Sequence, residues 1–370
     1  LKMKKYLFIQ DHLYGGGAEQ ICIDTAVALQ EKGHEVTVLL LDSNNIRTTY
    51  PENLNLIKFN IASAFMQGSI KKNKLKSVPL EQQAELMQII NDLAPDTIIA
   101  GHSHAFWLSP ILTGNVWFWV HGDSLGLVRK QNLGFFKYLE ALKKFMQCKK
   151  ACNYLFKGKQ LIVVNQDIKN LIQQHIQEAT VKVIHNGIDV KRLKSNLPNN
   201  ESSIIKKWDA IFVSRLSEEK QPDVAIKAFA ESGLTGRMAI VGDGPLLDEL
   251  IHLAETLGLT ERIDFLGWQD QPNRFIQQSH CLVLPSRTEG SPLIVAESLI
   301  LNVPVVAFNC CEGVEHQLSS GELAQGLVAL NDMQALSQRL YQVVTHPYVI
   351  REQDIQRLNI SEMVKAFEEL

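Results

Sequence analysis

The most constraining feature of this chain is a regular alternation, carried from end to end, between short apolar runs and longer stretches with a 3.6-residue apolar period. The runs in the first half are Tyr6–Ile9, Val36–Leu41, Leu54–Phe59, Thr97–Ala100, Val116–Val120, Leu161–Val164 and Lys182–Ile184. Between several of them lie helical patterns, at Ile21–Gln30, Glu81–Leu93, Phe135–Phe156 and Ile168–Ile176. A second series follows at Ala210–Val213, Met238–Val241, Ile263–Leu266, Cys281–Leu284, Val303–Phe308 and Gly326–Leu330, again alternating with helices. Runs of strand length that are apolar throughout are buried on both faces, and alternation with helices makes the sheets parallel. The polar stretch 191–203, centred on Asn196-Leu-Pro-Asn-Asn200, separates the two series and reads as a linker. With 370 residues there is enough chain for two cores. The expectation is therefore an α/β protein with two doubly wound parallel-sheet domains facing across a cleft. They would span 1–190 and 204–351, with a last helical segment, 352–370, crossing back to the first. In such sheets ligands sit at the carboxyl ends of the strands, so the loops after each strand are where chemistry belongs.

Composition removes several function classes. No apolar run approaches the ~18 residues of a membrane span, and no leader pattern precedes the first strand, which suggests a cytoplasmic setting. Six cysteines are spread along the chain, without a Cys-x-x-Cys pair or a histidine spaced for zinc; Cys148 and Cys152, four apart on a helical pattern, could approach, but all are expected to be reduced thiols. The net charge of −3 is unevenly placed: residues up to His185 carry 21 Lys+Arg against 15 Asp+Glu, the remainder 16 against 25. A basic first half suggests an anionic partner on that side. No feature points to nucleic acid.

Three constellations carry candidate chemistry. The first is the loop His12-Leu13-Tyr14-Gly15-Gly16-Gly17-Ala18-Glu19 after the first strand. Its glycines let backbone N–H groups approach a phosphate at a helix N-terminus. It lacks the third glycine of a dinucleotide loop, since Gln20 stands there, and the alternative is a plain tight turn. The second is Leu284 to Glu297, in which a strand ends, a loop carries Glu289, Gly290 and Ser291, and Pro292 sits at the first turn of a helix. Glu297 lies inside that helix among Leu293, Ile294, Val295, Ala296 and Leu299, where a carboxylate must find partners or face a site. Two adjacent ribose hydroxyls are a suitable bidentate partner. The third is Val213-Ser214-Arg215 through Lys220, after the first strand of the second series. Two cations there suit a diphosphate, with Glu218 and Glu219 as the local alternative partners.

In this order and spacing the chain resembles glycosyltransferase family 4, retaining enzymes of the GT-B fold. The resemblance covers most of the chain. It rests on Gly15–Glu19, the segment Val183-Ile184-His185-Asn186-Gly187-Ile188-Asp189, and Ser214-Arg215-Leu216 with Lys220. It continues through Val241-Gly242-Asp243-Gly244-Pro245 and Phe265-Leu266-Gly267 to two glutamates with seven residues between them. It implies that Glu289 bonds the donor sugar, Glu297 the ribose, and Arg215 and Lys220 the diphosphate. The backbone of Gly290, Ser291, Pro292 and Leu293 would border sugar and phosphate, and Gly16 and Gly17 would close on the phosphates. His121 matches a histidine that in this family lies against the transferred sugar; a strand-end histidine bonded to backbone is the alternative. Asp243 is expected to shape a turn. One departure is Val314, which stands where many relatives have a proline near Glu315.

The implied function is transfer of a hexose or N-acetylhexosamine from a nucleotide-diphosphate sugar, a UDP-sugar foremost, without cofactor or metal. The acceptor would be lipid-linked or an oligosaccharide of the bacterial envelope, as in lipopolysaccharide synthesis. A nucleotide-sugar 2-epimerase shares the architecture, and a non-catalytic sugar-nucleotide-binding subunit is a third reading. The segment Arg129–Lys159 holds nine Lys+Arg against Glu140 alone, interleaved with aromatics, and Lys71–Lys76 adds a second cluster. Such a basic amphipathic helix suits an anionic membrane surface or a lipid-linked acceptor, which would make the protein peripheral on the inner face of the cytoplasmic membrane. An ordinary helix with a solvated face is the alternative.

Overall fold

The computed structural model of the chain describes residues 2–67, 77–122, 125–127, 135–195, 197 and 204–370. The lysine cluster 71–76, Arg129, Lys130 and most of the polar stretch around 196–203 lie outside the described residues. The chain divides into two compact units, one of residues 1–186 with 360–370, the other of 187–359.

Unit 1 follows the alternation of its sequence: β1 (Lys5–Gln10), α1 (Gly17–Glu31), β2 (Glu35–Leu40), β3 (Asn55–Lys58), α2 (Leu80–Leu93), β4 (Thr97–Gly101), β5 (Val116–Val120), α3 (Phe135–Phe156), β6 (Gln160–Val163), α4 (Gln166–His175) and β7 (Thr180–Val183). The strands form one parallel sheet in the order β3-β2-β1-β4-β5-β6-β7. The direction of winding reverses between β1 and β4, which opens a crevice at their carboxyl ends. Central strands β4 and β5 are buried at every position, as their continuous apolar runs require.

Unit 2 begins with α5 (Val190–Ser195) and runs β8 (Trp208–Val213), α6 (Pro222–Glu231), β9 (Met238–Val241), α7 (Leu247–Thr256), β10 (Ile263–Gly267), α8 (Asn273–Gln277), β11 (Ser279–Leu284), α9 (Leu293–Ile300), β12 (Val305–Phe308), α10 (Glu312–Leu318), β13 (Leu327–Val328), α11 (Met333–Thr345) and α12 (Glu352–Ile355). Its sheet, also parallel, has the order β10-β9-β8-β11-β12-β13, so winding reverses between β8 and β11. One expectation is corrected: residues 191–195, read as linker, are helical. Leu193 is buried in the core of unit 2, an anchor that the surrounding polar residues hid. The bridge from Ile188 to Asn359 and the bond from Ile188 N–H to the Leu358 carbonyl keep 352–359 with unit 2.

The last helix, α13 (Ile360–Glu368), belongs to unit 1. Phe367 stacks with Phe8 and meets Trp119 edge-on at a 5.0 Å centroid distance. Glu368 is clasped by His34 and Lys32, each at 2.9 Å. Burial alone would raise its carboxyl, but these two partners hold it below the ordinary carboxylate range.

Candidate functional site

In unit 2 the reversal between β8 and β11 brings two of the expected residues together. Lys220 follows β8, Glu289 follows β11, and the ammonium donates to the Glu289 carboxylate at 2.7 Å. The pair is largely shielded, with 20% and 9% of the side chains exposed. Backbone contacts fix the two loops to each other. Arg287 N–H donates to the Glu219 carbonyl at 2.9 Å. Gln221, buried at a left-handed φ of 50°, is satisfied when its amide donates to the Pro285 carbonyl and accepts from Arg287 Nε, at 2.9 and 3.1 Å.

Arg215 is set differently. It is 68% exposed and pairs with Glu219 at 2.6 Å, four residues on. Burial opposes the charge on Glu219, but its own backbone N–H, Ser217 and Arg215 together lower its carboxyl. The loop that presents Arg215 rests on two glycines after β9. A Cβ on Gly242 would come within 1.9 Å of the Ser214 carbonyl oxygen, and one on Gly244 within 2.4 Å of that of Leu216. Asp243 shapes this turn: its carboxylate accepts from Gly244 N–H at 2.7 Å, and its carbonyl accepts from Leu216 N–H at 2.9 Å.

Gly290 and Ser291 lead into α9, and Pro292 is its N-cap rather than part of its first turn; a φ of −68° and an extended ψ of 116° suit the proline ring. Leu293 opens the helix, so its first N–H groups lie at the same strand ends as Lys220 and Glu289. Glu297 is half-buried on α9. Behind this loop stands α10. A Cβ on Gly313 would meet the Gly290 carbonyl oxygen at 1.9 Å, and Gln317 donates to the Pro292 carbonyl at 3.1 Å. Val314 is buried in the core, and its N–H donates to the Cys311 carbonyl at 3.1 Å, which a proline has no hydrogen to do. None of the six cysteines is in a disulfide.

In unit 1 the reversal between β1 and β4 gathers a different set. Gly15 has a φ of 101°, a backbone that glycine adopts without strain; Gly16 caps α1 and Gly17 is its first residue. A Cβ on Gly16 would meet Glu19 Oε2 at 2.2 Å, because the glutamate folds back over the loop. Glu19 reaches His12 Nδ1 at 3.2 Å, and His102, after β4, reaches the fully buried Asp11 at 3.4 Å. Asp11 also accepts from the N–H groups of His104 and Ala105 at 2.8 and 2.7 Å. Burial opposes charge on Asp11 and Glu19, yet the neighbouring histidines hold both carboxyls below their usual range. Burial likewise disfavours protonated His102, but Asp11 and then Glu19 outweigh it and raise its pKa.

His121, after β5, behaves in the opposite way. Burial, assisted by the charge on His102, pushes its pKa down to about 3. Both ring nitrogens are shut off from solvent and lack a hydrogen-bond partner among the described residues. The expected alternative, a histidine bonded to backbone, is therefore not what the structure holds. It holds a neutral imidazole with one donor and one acceptor to offer.

Asp11 and His102 are absent from the sequence reading, whereas His12 and Glu19 belong to the glycine loop singled out there but were given no contact of their own. The signal was the strand-end rule applied to β4, whose Gly101-His102-Ser103-His104 went unremarked.

Two family models match consecutive parts of the chain: Glycosyltransferase Family 4 over residues 15–192 and Glycosyl transferases group 1 over 194–362. An uncharacterized glycosyltransferase of Haemophilus influenzae is 24% identical over 330 residues, covering 86% of this chain and 85% of the relative. One from Methanocaldococcus jannaschii is 28% identical, over 63% of this chain and 60% of its own length. A lipopolysaccharide 1,6-galactosyltransferase of Escherichia coli is 26% identical over 172 residues, 45% of this chain and 47% of the relative. Among solved structures, HepE of Anabaena, crystallised with UDP and glucose, superposes with a TM-score of 0.72 at 19% identity, covering 99% of this chain and 98% of that one. At that identity the likeness concerns the fold, which is GT-B.

Proposed function

This chain belongs to the family 4 glycosyltransferases, and from that premise we propose that it transfers a hexose or N-acetylhexosamine from a nucleotide-diphosphate sugar, with retention at the anomeric carbon. The observation that carries the reading is the shielded Lys220–Glu289 pair at the reversal point of unit 2, beside the N-terminus of α9. When the bond from the anomeric carbon to the diphosphate breaks, negative charge grows on the departing oxygen. Lys220, Arg215 and the first N–H groups of α9 are the donors available to that charge, and fixed donors of this kind do the work that a metal ion does in other transferases. Glu289 takes the sugar hydroxyls and Glu297 the ribose, with Gly290, Ser291, Pro292 and Leu293 bordering the ligand. Neutral His121 offers a sugar hydroxyl a hydrogen bond without competing for a proton at physiological pH. Gly16 and Gly17 offer unit 1's own helix N-terminus to an anion. UDP in the crystallised Anabaena neighbour favours uridine as the base.

The acceptor reading rests on unit 1 and on the lipopolysaccharide relative. On α3 the side chains of Phe136, Leu139, Met146 and Tyr154 are exposed, Phe136 by 85%. With Lys143 and Lys150 they recur every three or four residues, so one stripe of the helix presents aromatic, aliphatic and cationic groups together. That composition suits the headgroup region of an anionic membrane or the phosphates of a lipid-linked acceptor. Among the described residues no helix is long and apolar enough to cross a membrane. The contact proposed for the stripe is peripheral, on the cytoplasmic face. An epimerase acting on the nucleotide sugar alone leaves this stripe without a purpose. The test is incubation of the full chain, in strong chelator, with labelled nucleotide sugars, with and without bacterial membrane extract. Labelled glycolipid or oligosaccharide formed only with extract supports the reading. Isomerised nucleotide sugar in both arms, or turnover that needs added magnesium or manganese, overturns it.

A further inference from the structure

We propose that His12, Glu19 and His102 form a binding site in unit 1 for one divalent cation of the zinc class. One ligand atom from each lies within 4.8 Å of the other two. Metal–ligand bonds of about 2.0–2.2 Å set tetrahedral ligand atoms ~3.3 Å apart, so the cluster closes on a cation by side-chain shifts of roughly 1 Å. His12 Nδ1 and Glu19 Oε1 already stand 3.2 Å apart.

A simpler account treats Glu19 as a helix-capping carboxylate, since it is the third residue of α1. That explains the glutamate and leaves the histidines unexplained. They come from two different loops, after β1 and after β4, and each turns a buried Nδ1 to a carboxylate, His12 to Glu19 at 3.2 Å and His102 to Asp11 at 3.4 Å. Three further observations point to a ligand. His102 holds a left-handed backbone, at a φ of 74°, that few non-glycine residues adopt without a compensating interaction. Asp11, wholly buried and fixed by two backbone N–H groups, stands 3.4 Å from His102 Nδ1. A carboxylate behind one imidazole nitrogen orients the ring and leaves Nε2 as the metal ligand, the usual support of a metal-bound histidine. Finally, Gln10 at the same strand end is completely buried and neither amide atom has a partner among the described residues.

The donor set selects the ion. Two imidazoles and one carboxylate suit zinc, cobalt or nickel; magnesium and calcium prefer oxygen throughout. Three protein ligands leave a fourth position for water or an anionic oxygen, next to the N-terminus of α1. A bound cation would tie the His12–Gly17 loop to the loop after β4. The inference concerns binding, and it stands whether or not transfer needs a metal.

The test uses the full chain stripped with chelator and titrated with Co²⁺, followed by visible ligand-field absorption and then displacement with Zn²⁺. One tetrahedral or five-coordinate Co²⁺ per chain is expected, weakened on the order of 100-fold in His12→Ala and His102→Ala and roughly 10-fold in Asp11→Asn. His316→Ala removes a histidine that lies with Glu312 of α10, their ligand atoms within 4.8 Å, and should leave the spectrum unchanged. Absence of a Co²⁺ spectrum, or one that persists in the His12→Ala/His102→Ala double variant or disappears in His316→Ala, overturns the site. Hydrogen exchange on the wild type covers the case of a variant that fails to fold. Zn²⁺ should slow exchange at residues 12–19 and 102–105, and no slowing there refutes the proposal.

Discussion

The two units share the order of their first six strands, unit 1 adding β7 at the edge, and place opposite chemistry at the same point of it. At the reversal of unit 2, between β8 and β11, stands a lysine–glutamate pair with an exposed arginine beside it. At the reversal of unit 1, between β1 and β4, stand two histidines and two carboxylates, with a neutral histidine after the neighbouring strand. The parallel sheet explains why each crevice exists. It does not choose what fills it. The difference teaches that in this fold the chemistry at each crevice is set by the few residues following the central strands, a lysine–glutamate pair in one unit and histidines with carboxylates in the other.

The largest expected effect breaks the pair of unit 2. Lys220→Met leaves the Glu289 carboxylate, 9% exposed, without its partner. Removing one member of a shielded pair should cost about 3 kcal/mol of stability, read as a lowered denaturant midpoint. Adding Glu289→Leu should restore most of that stability while activity stays lost. Recovery of activity in the double variant would show the pair to be structural only.

Arg215→Ala sharpens the contrast inside the same crevice. Its pair with Glu219 is exposed, so stability should change by less than ~1 kcal/mol. The contact proposed for it with the departing diphosphate should cost ~1.5–3 kcal/mol, roughly a ten- to hundredfold fall in kcat/KM. A large loss of stability with unchanged turnover would invert the assignment.

A pH titration tests the other crevice. His121 has a folded pKa of about 3, well below the value of an unfolded histidine. Between roughly pH 6.5 and 3 the unfolded chain therefore binds a proton that the folded chain does not. The stability that this group supplies is complete above that window and falls as the pH drops through it, by up to ~1.4 kcal/mol per pH unit. His121→Phe should flatten the acid limb of the stability profile by about one proton. An unaltered slope would mean that the imidazole is not held neutral.

Much of this was legible in sequence because the parallel sheets leave strong traces. Every apolar run proposed as a strand overlaps one, and the trace is strongest in central strands such as β4 and β5, which are buried at every position. Glu289, Lys220 and the glycines after β9 were visible because a spaced series of motifs carries them. α5 was missed because Leu193 alone anchors it amid lysines and an arginine. The histidine cluster was missed for a different reason: His12 and His102 are 90 residues apart, and only the pairing of β1 with β4 makes them neighbours.

A smaller effect belongs to α3. If its stripe meets anionic lipid, each nearby lysine contributes ~1 kcal/mol, decaying over a Debye length of ~8 Å. Replacing Lys143, Lys144, Lys149 and Lys150 with glutamine should weaken sedimentation with anionic vesicles and leave nucleotide affinity unchanged. If the wild type fails to bind such vesicles even at low salt, the acceptor is better sought among soluble oligosaccharides.

The most direct test of the account is calorimetric titration of UDP, in chelator, into the wild-type chain and into Arg215→Ala, Lys220→Ala and Glu297→Ala, with folding checked by thermal melts. The account predicts one site per chain without metal, and affinity reduced at least about tenfold in each variant that still melts cooperatively, since each loses a charge-assisted contact. Wild-type affinity in all three variants, or binding that appears only when magnesium is added, would contradict it.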